Sequence, residues 1–148
     1  MLDHPAILRG RRVLDIGAGS GLVALAAAKA GAAHVLAADI DAFARAAIAL
    51  NAEANGLTIT VSGDDLIGTD SAREDWDMIL VGDLFYERPL AERLMRWLRG
   101  SRADSLLGDP GRAYFPKDGV EQCAAYQVRT TRDLEDREIR DTGVYRLS

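Results

Sequence analysis

Three glycines at alternate positions follow a short apolar run in the stretch RRVLDIGAGSGLVALAAAKAG, Arg11 to Gly31. Gly17, Gly19 and Gly21 separate a strand-like pattern from a helix-like one, and Asp15 stands two residues before the first glycine. Glycine lets the backbone turn sharply and approach a ligand closely. In an open α/β sheet, ligands bind beyond the carboxyl ends of the strands, where such a loop lies. The loop therefore predicts a binding site for a nucleotide-type cofactor.

The spacing of the glycines favours one class of cofactor. The dinucleotide fingerprint G-x-G-x-x-G needs a glycine where this chain has Leu22. Asp39, after the second predicted strand, is placed to accept hydrogen bonds from ribose hydroxyls, and Asp64, after the third, from an adenine amino group. Five acids are expected around the cleft: Asp15, Asp39, Asp41, Asp64 and Asp83. Such a cleft repels a pyrophosphate and suits a ligand with an ammonium and a sulfonium, which predicts S-adenosylmethionine.

Short strand-like runs alternate with helical ones, which predicts a mainly parallel sheet covered on both faces. The predicted strands are Arg12–Ile16, His34–Ala38, Leu57–Ser62, Asp77–Val81 and Asp104–Leu107, and the predicted helices Gly21–Ala30, Ala42–Asn55 and Pro89–Leu98. After Pro116 the pattern predicts a short helix near Asp118–Ala124. Two strands, Tyr126–Thr131 and Glu138–Leu147, then form an antiparallel hairpin around the charged RDLED. The fold class is thus α/β: a Rossmann-like, doubly wound sheet of about seven strands with an antiparallel C-terminal hairpin.

Composition narrows the possible functions. The chain has 148 residues, which corresponds to one domain, and a net charge of -5 that favours no broad basic face for nucleic acid. Cys123 is the single cysteine, expected to be buried, and the spacing of His4 and His34 suggests no metal site. No apolar run approaches the roughly 20 residues of a membrane span, and no signal peptide is visible. We therefore expect a cytoplasmic protein with no metal, nucleic-acid or membrane partner.

Three stretches resemble motifs of the class I S-adenosylmethionine-dependent methyltransferases. VLDIGAGSG resembles the first motif of that superfamily, LAADID its acidic second-strand motif, and GDD its adenine-side motif. The resemblance extends from Val13 to about Leu107. It implies a single methyltransferase domain over residues 1–148, with a seven-stranded sheet whose last strand is antiparallel.

The stretch VGDLFYERPL, Val81–Leu90, indicates what is methylated. It lacks the Asp/Asn-Pro-Pro-aromatic sequence expected of nucleic-acid amino-group methylation. Instead DLFYE resembles the D-x-x-Y signature of seven-β-strand protein-lysine methyltransferases. Together with GDPGR, Gly108–Arg112, it resembles the electron-transfer-flavoprotein β-subunit lysine methyltransferases and their bacterial relatives. The resemblance implies a protein substrate, for which that β subunit is the candidate.

Four residues are candidates for the reaction itself. We expect Asp83 to accept a hydrogen bond from the substrate amine, and Tyr86 and Phe85 to wall the channel and hold an ammonium by cation–π attraction. Arg112 is a candidate for steering the substrate.

Two other hypotheses stay open: a ribosomal-protein or small-molecule methyltransferase with the same cleft, and a non-catalytic nucleotide- or partner-binding module. Relatives carry a segment before the first strand that helps to cover the cleft, whereas only residues 1–10 precede it here. Either Met1 is a late start, or this chain is a shortened form with an open cofactor site.

Overall fold

Seven strands form one sheet in the order β3-β2-β1-β4-β5-β7-β6. The computed structural model of the protein describes residues 2–70, 75–129 and 139–147. The strands are β1 Arg12–Ile16, β2 His34–Ala38, β3 Thr60–Ser62, β4 Met78–Gly82, β5 Asp104–Asp109, β6 Val120–Arg129 and β7 Ile139–Leu147. The first five pair in parallel, and β7 runs antiparallel to both β5 and β6. The predicted fold class is confirmed.

Within the described residues, three α-helices connect the parallel strands: α1 Leu22–Lys29, α2 Ala42–Asn55 and α3 Arg88–Arg99. A single 3-10 turn, Pro5–Ile7, precedes β1. Local signals set the helix ends. The Asp41 carboxylate accepts a hydrogen bond from the backbone N–H of Phe43 (2.9 Å) and so caps α2, while Gly56 closes that helix in the left-handed region. The predicted bounds of α2 are therefore confirmed.

Core residues lie on both faces of the sheet because neighbouring side chains of a strand point to opposite faces. In β1, Val13 packs with Leu8 and α1, whereas Leu14 packs with Trp97 of α3. The indole N–H of Trp97 also donates to the carbonyl oxygen of Thr69 (3.2 Å). The sheet order reverses between β1 and β4, where ligands bind in open α/β sheets.

Two predictions about elements and one about the burial of a side chain are wrong. No helix forms near Asp118–Ala124, because Val120–Arg129 is strand β6, which pairs with β7 and has a register shift between Gln122 and Ala124. Backbone pairing with a neighbouring strand thus overrides the local helical pattern. The third strand begins at Thr60 rather than at residue 57. Cys123 lies on the exposed edge strand β6 and is itself exposed.

The predicted hairpin is confirmed as β6 and β7, although its RDLED connection lies outside the described residues. Within the part of the chain that the structure describes, no helix is long and apolar enough to cross a membrane.

Candidate active site

A cavity of about 350 Å³ lies at the carboxyl ends of β1, β2 and β4. It brings together five of the residues singled out from the sequence, namely Gly17, Asp39, Asp64, Asp83 and Tyr86. Its volume falls within the range of small-molecule sites, about 300–1,000 Å³. Three carboxylates that follow three different strands thus meet at one cavity.

The glycine loop forms one wall of the cavity and passes close to Leu84. Gly17 has a φ of +65°, which L-residues rarely adopt, and a Cβ added there would lie 2.6 Å from Leu84 Cδ2. Gly19 and Gly21 also have positive φ, and Gly21 is the N-cap of α1. The backbone N–H of Gly17 donates to the carbonyl oxygen of Ala38 (2.9 Å). The loop is therefore tied to the end of β2.

Asp39 is held at the cavity wall by backbone groups. Its Oδ2 accepts from the N–H of Gly19 (2.8 Å), and its Oδ1 accepts from the N–H of Asp41 (2.9 Å). The Arg45 guanidinium donates to the Asp39 carbonyl oxygen (3.0 Å). Since each carboxylate oxygen has two acceptor sites, both can accept a further hydrogen bond from a ligand hydroxyl.

Asp15 lies behind the loop rather than in the lining of the cavity. Its side chain is buried, and Oδ2 has no hydrogen-bond partner among the described residues. Burial raises the pKa of Asp15 to about 7, and the nearby Asp39 carboxylate acts in the same direction, against a backbone hydrogen bond from Ala24. This geometry therefore does not support the expected direct contact of Asp15 with the cofactor.

The loop after β3 is fastened to α3 by a residue that the sequence did not single out. Arg93 pairs with Asp65 (2.8 Å) and donates to the carbonyl oxygen of Ile67 (2.6 Å). Asp64 accepts from the Ser62 hydroxyl (2.9 Å). Arg93 carries no local signal of this role, since an arginine on an exposed helix face is usually solvated.

Asp83 and Arg112 form a bidentate ion pair at the edge of the cavity. Arg112 Nε lies 2.5 Å from Oδ1 and Nη2 lies 2.6 Å from Oδ2. Asp83 has a φ of +55°, the one positive value of a non-glycine residue in the described chain. Asp83 thus combines a strained backbone with a place in the lining of the cavity.

A buried acid positions Arg112. Asp109 Oδ1 accepts from the backbone N–H groups of Gly111 and Arg112, both at 2.7 Å. Burial raises the pKa of Asp109, with these two backbone hydrogen bonds acting in the opposite direction. Sequence reasoning missed Asp109, although the turn pattern of GDPGR carries the signal, because aspartate accepts from backbone groups two residues on.

The two adjacent aromatic residues after Asp83 point in different directions. Phe85 has no exposed surface and packs edge-on against Phe115 (5.0 Å between ring centroids). The expectation that Phe85 walls a substrate channel is therefore wrong: it belongs to the core on the α3 side. Tyr86 is 51% exposed and lines the cavity. Of the aromatic pair, Tyr86 alone is available to a ligand there.

The comparison with known families decides the family of the chain. Residues 2–81 match the family model described as ribosomal protein L11 methyltransferase (PrmA). The chain belongs to this methyltransferase family. The matched region holds the glycine loop, Asp39 and Asp64, and it ends before Asp83.

Relatives with similarity over the whole chain are found under another name. The electron transfer flavoprotein β-subunit lysine methyltransferase of Xenopus laevis is 39% identical over 98% of this chain and 62% of its own length. The ribosomal protein L11 methyltransferase of Deinococcus radiodurans is 43% identical over 54% of this chain and 31% of its own length. This family member thus spans between about half and three fifths of the length of the curated lysine methyltransferases that it matches.

Solved structures agree on the fold. The magnesium protoporphyrin IX methyltransferase of Synechocystis PCC 6803 with bound SAH has a TM-score of 0.71 at 19% identity. That alignment covers 99% of this family member and 77% of the other chain. At this level of identity the likeness concerns the architecture alone.

Proposed function

We propose that the protein is an S-adenosylmethionine-dependent protein-lysine N-methyltransferase whose substrate is the electron transfer flavoprotein β subunit. The observation that carries this proposal is how much of the chain is similar to each group of relatives. Likeness to the relatives named for that substrate continues through Asp83-x-x-Tyr86 and GDPGR to the C-terminal hairpin. Likeness to a relative named for ribosomal protein L11 covers about half of the chain.

The lining of the cavity fits the proposed cofactor. Asp39 is oriented to accept from ribose hydroxyls, and Asp64 stands at the end of β3, where an adenine amino group is expected. Carboxylates at this site attract the ammonium and sulfonium of S-adenosylmethionine and repel a pyrophosphate. The cleft is therefore suited to this cofactor rather than to a dinucleotide.

The cofactor, when bound, supplies an electrophilic methyl group on a positively charged sulfur. The protein must present a neutral lysine amine, although the pKa of a free lysine is about 10.4. In our proposal Asp83 accepts a hydrogen bond from the amine and directs its lone pair towards the methyl carbon, while the proton leaves to solvent before attack. Tyr86 provides an aromatic face for the ammonium as it arrives.

Arg112 takes a different role from the one expected. It already holds both oxygens of Asp83, so we assign it to fixing that carboxylate rather than to steering the substrate. A guanidinium fork stabilises the ionised carboxylate and its orientation at once. Each oxygen of Asp83 keeps a second acceptor site for the amine.

The test is Asp83→Asn, with Glu87→Gln as the matched control. Asparagine tolerates a positive φ and leaves the shape unchanged, so the variant keeps the backbone of Asp83. Glu87 is an exposed acid four residues further on, outside the cavity lining. Mass spectrometry of the flavoprotein after incubation measures methyl-lysine, and calorimetry measures the cofactor Kd.

We expect Asp83→Asn to lower methyl transfer by about 100-fold or more and to change the cofactor Kd by less than about threefold. Glu87→Gln should match the wild type in both. Methyl-lysine formation by Asp83→Asn at the wild-type rate contradicts the assigned role. Methylation of arginine or nucleic acid without methyl-lysine contradicts the proposed function.

A second candidate substrate is ribosomal protein L11, favoured by the match of residues 2–81 to the family model. The same incubation with L11 in place of the flavoprotein decides between them. Methylation of L11 at a higher kcat/KM than the flavoprotein would make L11 the substrate.

A further inference from the structure

A second groove, of about 570 Å³, runs beside α3. Arg88, Arg96 and Arg99 of that helix line one side, and Tyr114 and Pro116 line the other. We call this surface the α3 groove. It shares no lining residue with the cofactor cavity.

The α3 groove concentrates positive charge in an acidic protein. It contains three arginines and one acid, Glu92, in a chain whose net charge is -5. Among the described residues, none of the three arginines forms an ion pair with a carboxylate. Arg88 stacks over the Tyr114 ring (5.5 Å), and Arg99 donates to the backbone carbonyl of Asp118 (3.3 Å). Because a guanidinium has five N–H donors, most of them remain available to a ligand.

One end of the α3 groove is close in sequence to the residues of the proposed reaction centre. Arg88 stands two residues after Tyr86, and Tyr114 two residues after Arg112, the partner of Asp83. From there it follows α3 from Arg88 to Arg99, and the eleven helical steps between these residues correspond to about 16 Å. An extended peptide rises by about 3.3 Å per residue, so about five residues span this length.

We infer that the α3 groove binds an acidic segment of the protein substrate, located within about five residues of the methylated lysine. Carboxylates suit the groove because each can take the planar fork of an arginine. This inference rests on the proposed function for the presence of a lysine at Asp83. It adds which sequence neighbours that lysine must have.

The experiment uses two fluorescein-labelled peptides of twelve residues with one central lysine. One peptide has four glutamates within five residues of the lysine, and the other has glutamines at those places. Fluorescence anisotropy measures their binding to the full 148-residue protein and to R96Q/R99Q. The matched control, R9Q/R102Q, removes the same charge. Its two arginines are exposed, and neither of them lines the α3 groove.

We expect the glutamate peptide to bind about tenfold more tightly than the glutamine peptide at low salt, since each exposed ion pair contributes up to about fivefold in affinity. R96Q/R99Q should lose most of this preference, and R9Q/R102Q should keep it. Equal affinity for the two peptides, or equal losses in the two variants, overturns the inference. So does a single-stranded oligonucleotide that binds through Arg96 and Arg99 more tightly than the glutamate peptide.

These measurements separate the α3 groove from the reaction. Peptide binding is measured without cofactor and without turnover, so it stands even if Asp83→Asn shows that the proposed chemistry is wrong. Conversely, methylation of both peptides with the same KM by an active enzyme overturns the groove alone. In the active enzyme, R96Q/R99Q should raise the KM for the glutamate peptide and leave kcat unchanged.

Discussion

Asp15 makes the stability of the fold depend on pH in a direction opposite to that of a surface carboxylate. Its pKa is 3.8 in the unfolded chain and about 7 in the native protein, because burial disfavours the charged form. The native state therefore holds a proton that the unfolded state has released. Stability contributed by this group is greatest below pH 4 and is lost as the pH rises to about 7. The linkage relation gives a loss of about 3 kcal/mol in the free energy of unfolding between pH 5 and pH 8.

Asp15→Asn removes this titration while keeping the shape of the side chain. Urea unfolding at pH 5 and at pH 8, followed by circular dichroism, measures the free energy of unfolding at each pH. The wild type should lose about 3 kcal/mol more than Asp15→Asn over this interval, whatever the amide costs at a fixed pH. Glu53→Gln, which removes an exposed carboxylate, should follow the wild type. Parallel curves for Asp15→Asn and the wild type would refute the claim that Asp15 is protonated in the native protein.

Two further predictions concern the cofactor cavity. Asp39→Ala should weaken S-adenosylmethionine binding by about 1.5–3 kcal/mol in calorimetry, the range for a lost charged hydrogen bond, and unchanged affinity would remove Asp39 from the site. Gly17→Ala and Gly19→Ala should each lower the free energy of unfolding by about 1–2 kcal/mol, since both glycines have positive φ. Only Gly17→Ala should also weaken the binding of the cofactor, because its new Cβ displaces Leu84, whereas nothing lies within 4 Å of a Cβ at Gly19. Equal cofactor affinities of the two variants would contradict this difference.

Much of the fold could be predicted because its signals are local. The β1 and β2 strands and the α2 helix have the predicted bounds, since strand patterning and the Asp41 and Gly56 caps act within a few residues. The parallel order then brings the ends of β1, β2 and β4 to one edge of the sheet. For that reason the order of strands along the chain is enough to predict that Asp39 and Asp83 share a cleft.

The features that were predicted wrongly depend on contacts between segments that are distant in the sequence. Asp118–Ala124 has a helical pattern, but β7 supplies hydrogen-bond partners only if this segment contributes to a strand. Phe85 and Tyr86 are adjacent aromatic residues, and nothing in their local pattern indicates why the first rather than the second enters the core. The packing of Phe85 against Phe115 decides that order.

Which charged groups pair with one another likewise depends on the tertiary structure. Asp83 and Arg112 are 29 residues apart, and their pairing needs both the strained backbone of Asp83 and the turn that Asp109 holds. The raised pKa of Asp15 depends on how completely α1 and the sheet exclude water from its carboxyl group. Sequence shows which residue types follow each strand, whereas their charge states and partners depend on burial and on distances that only the assembled fold defines.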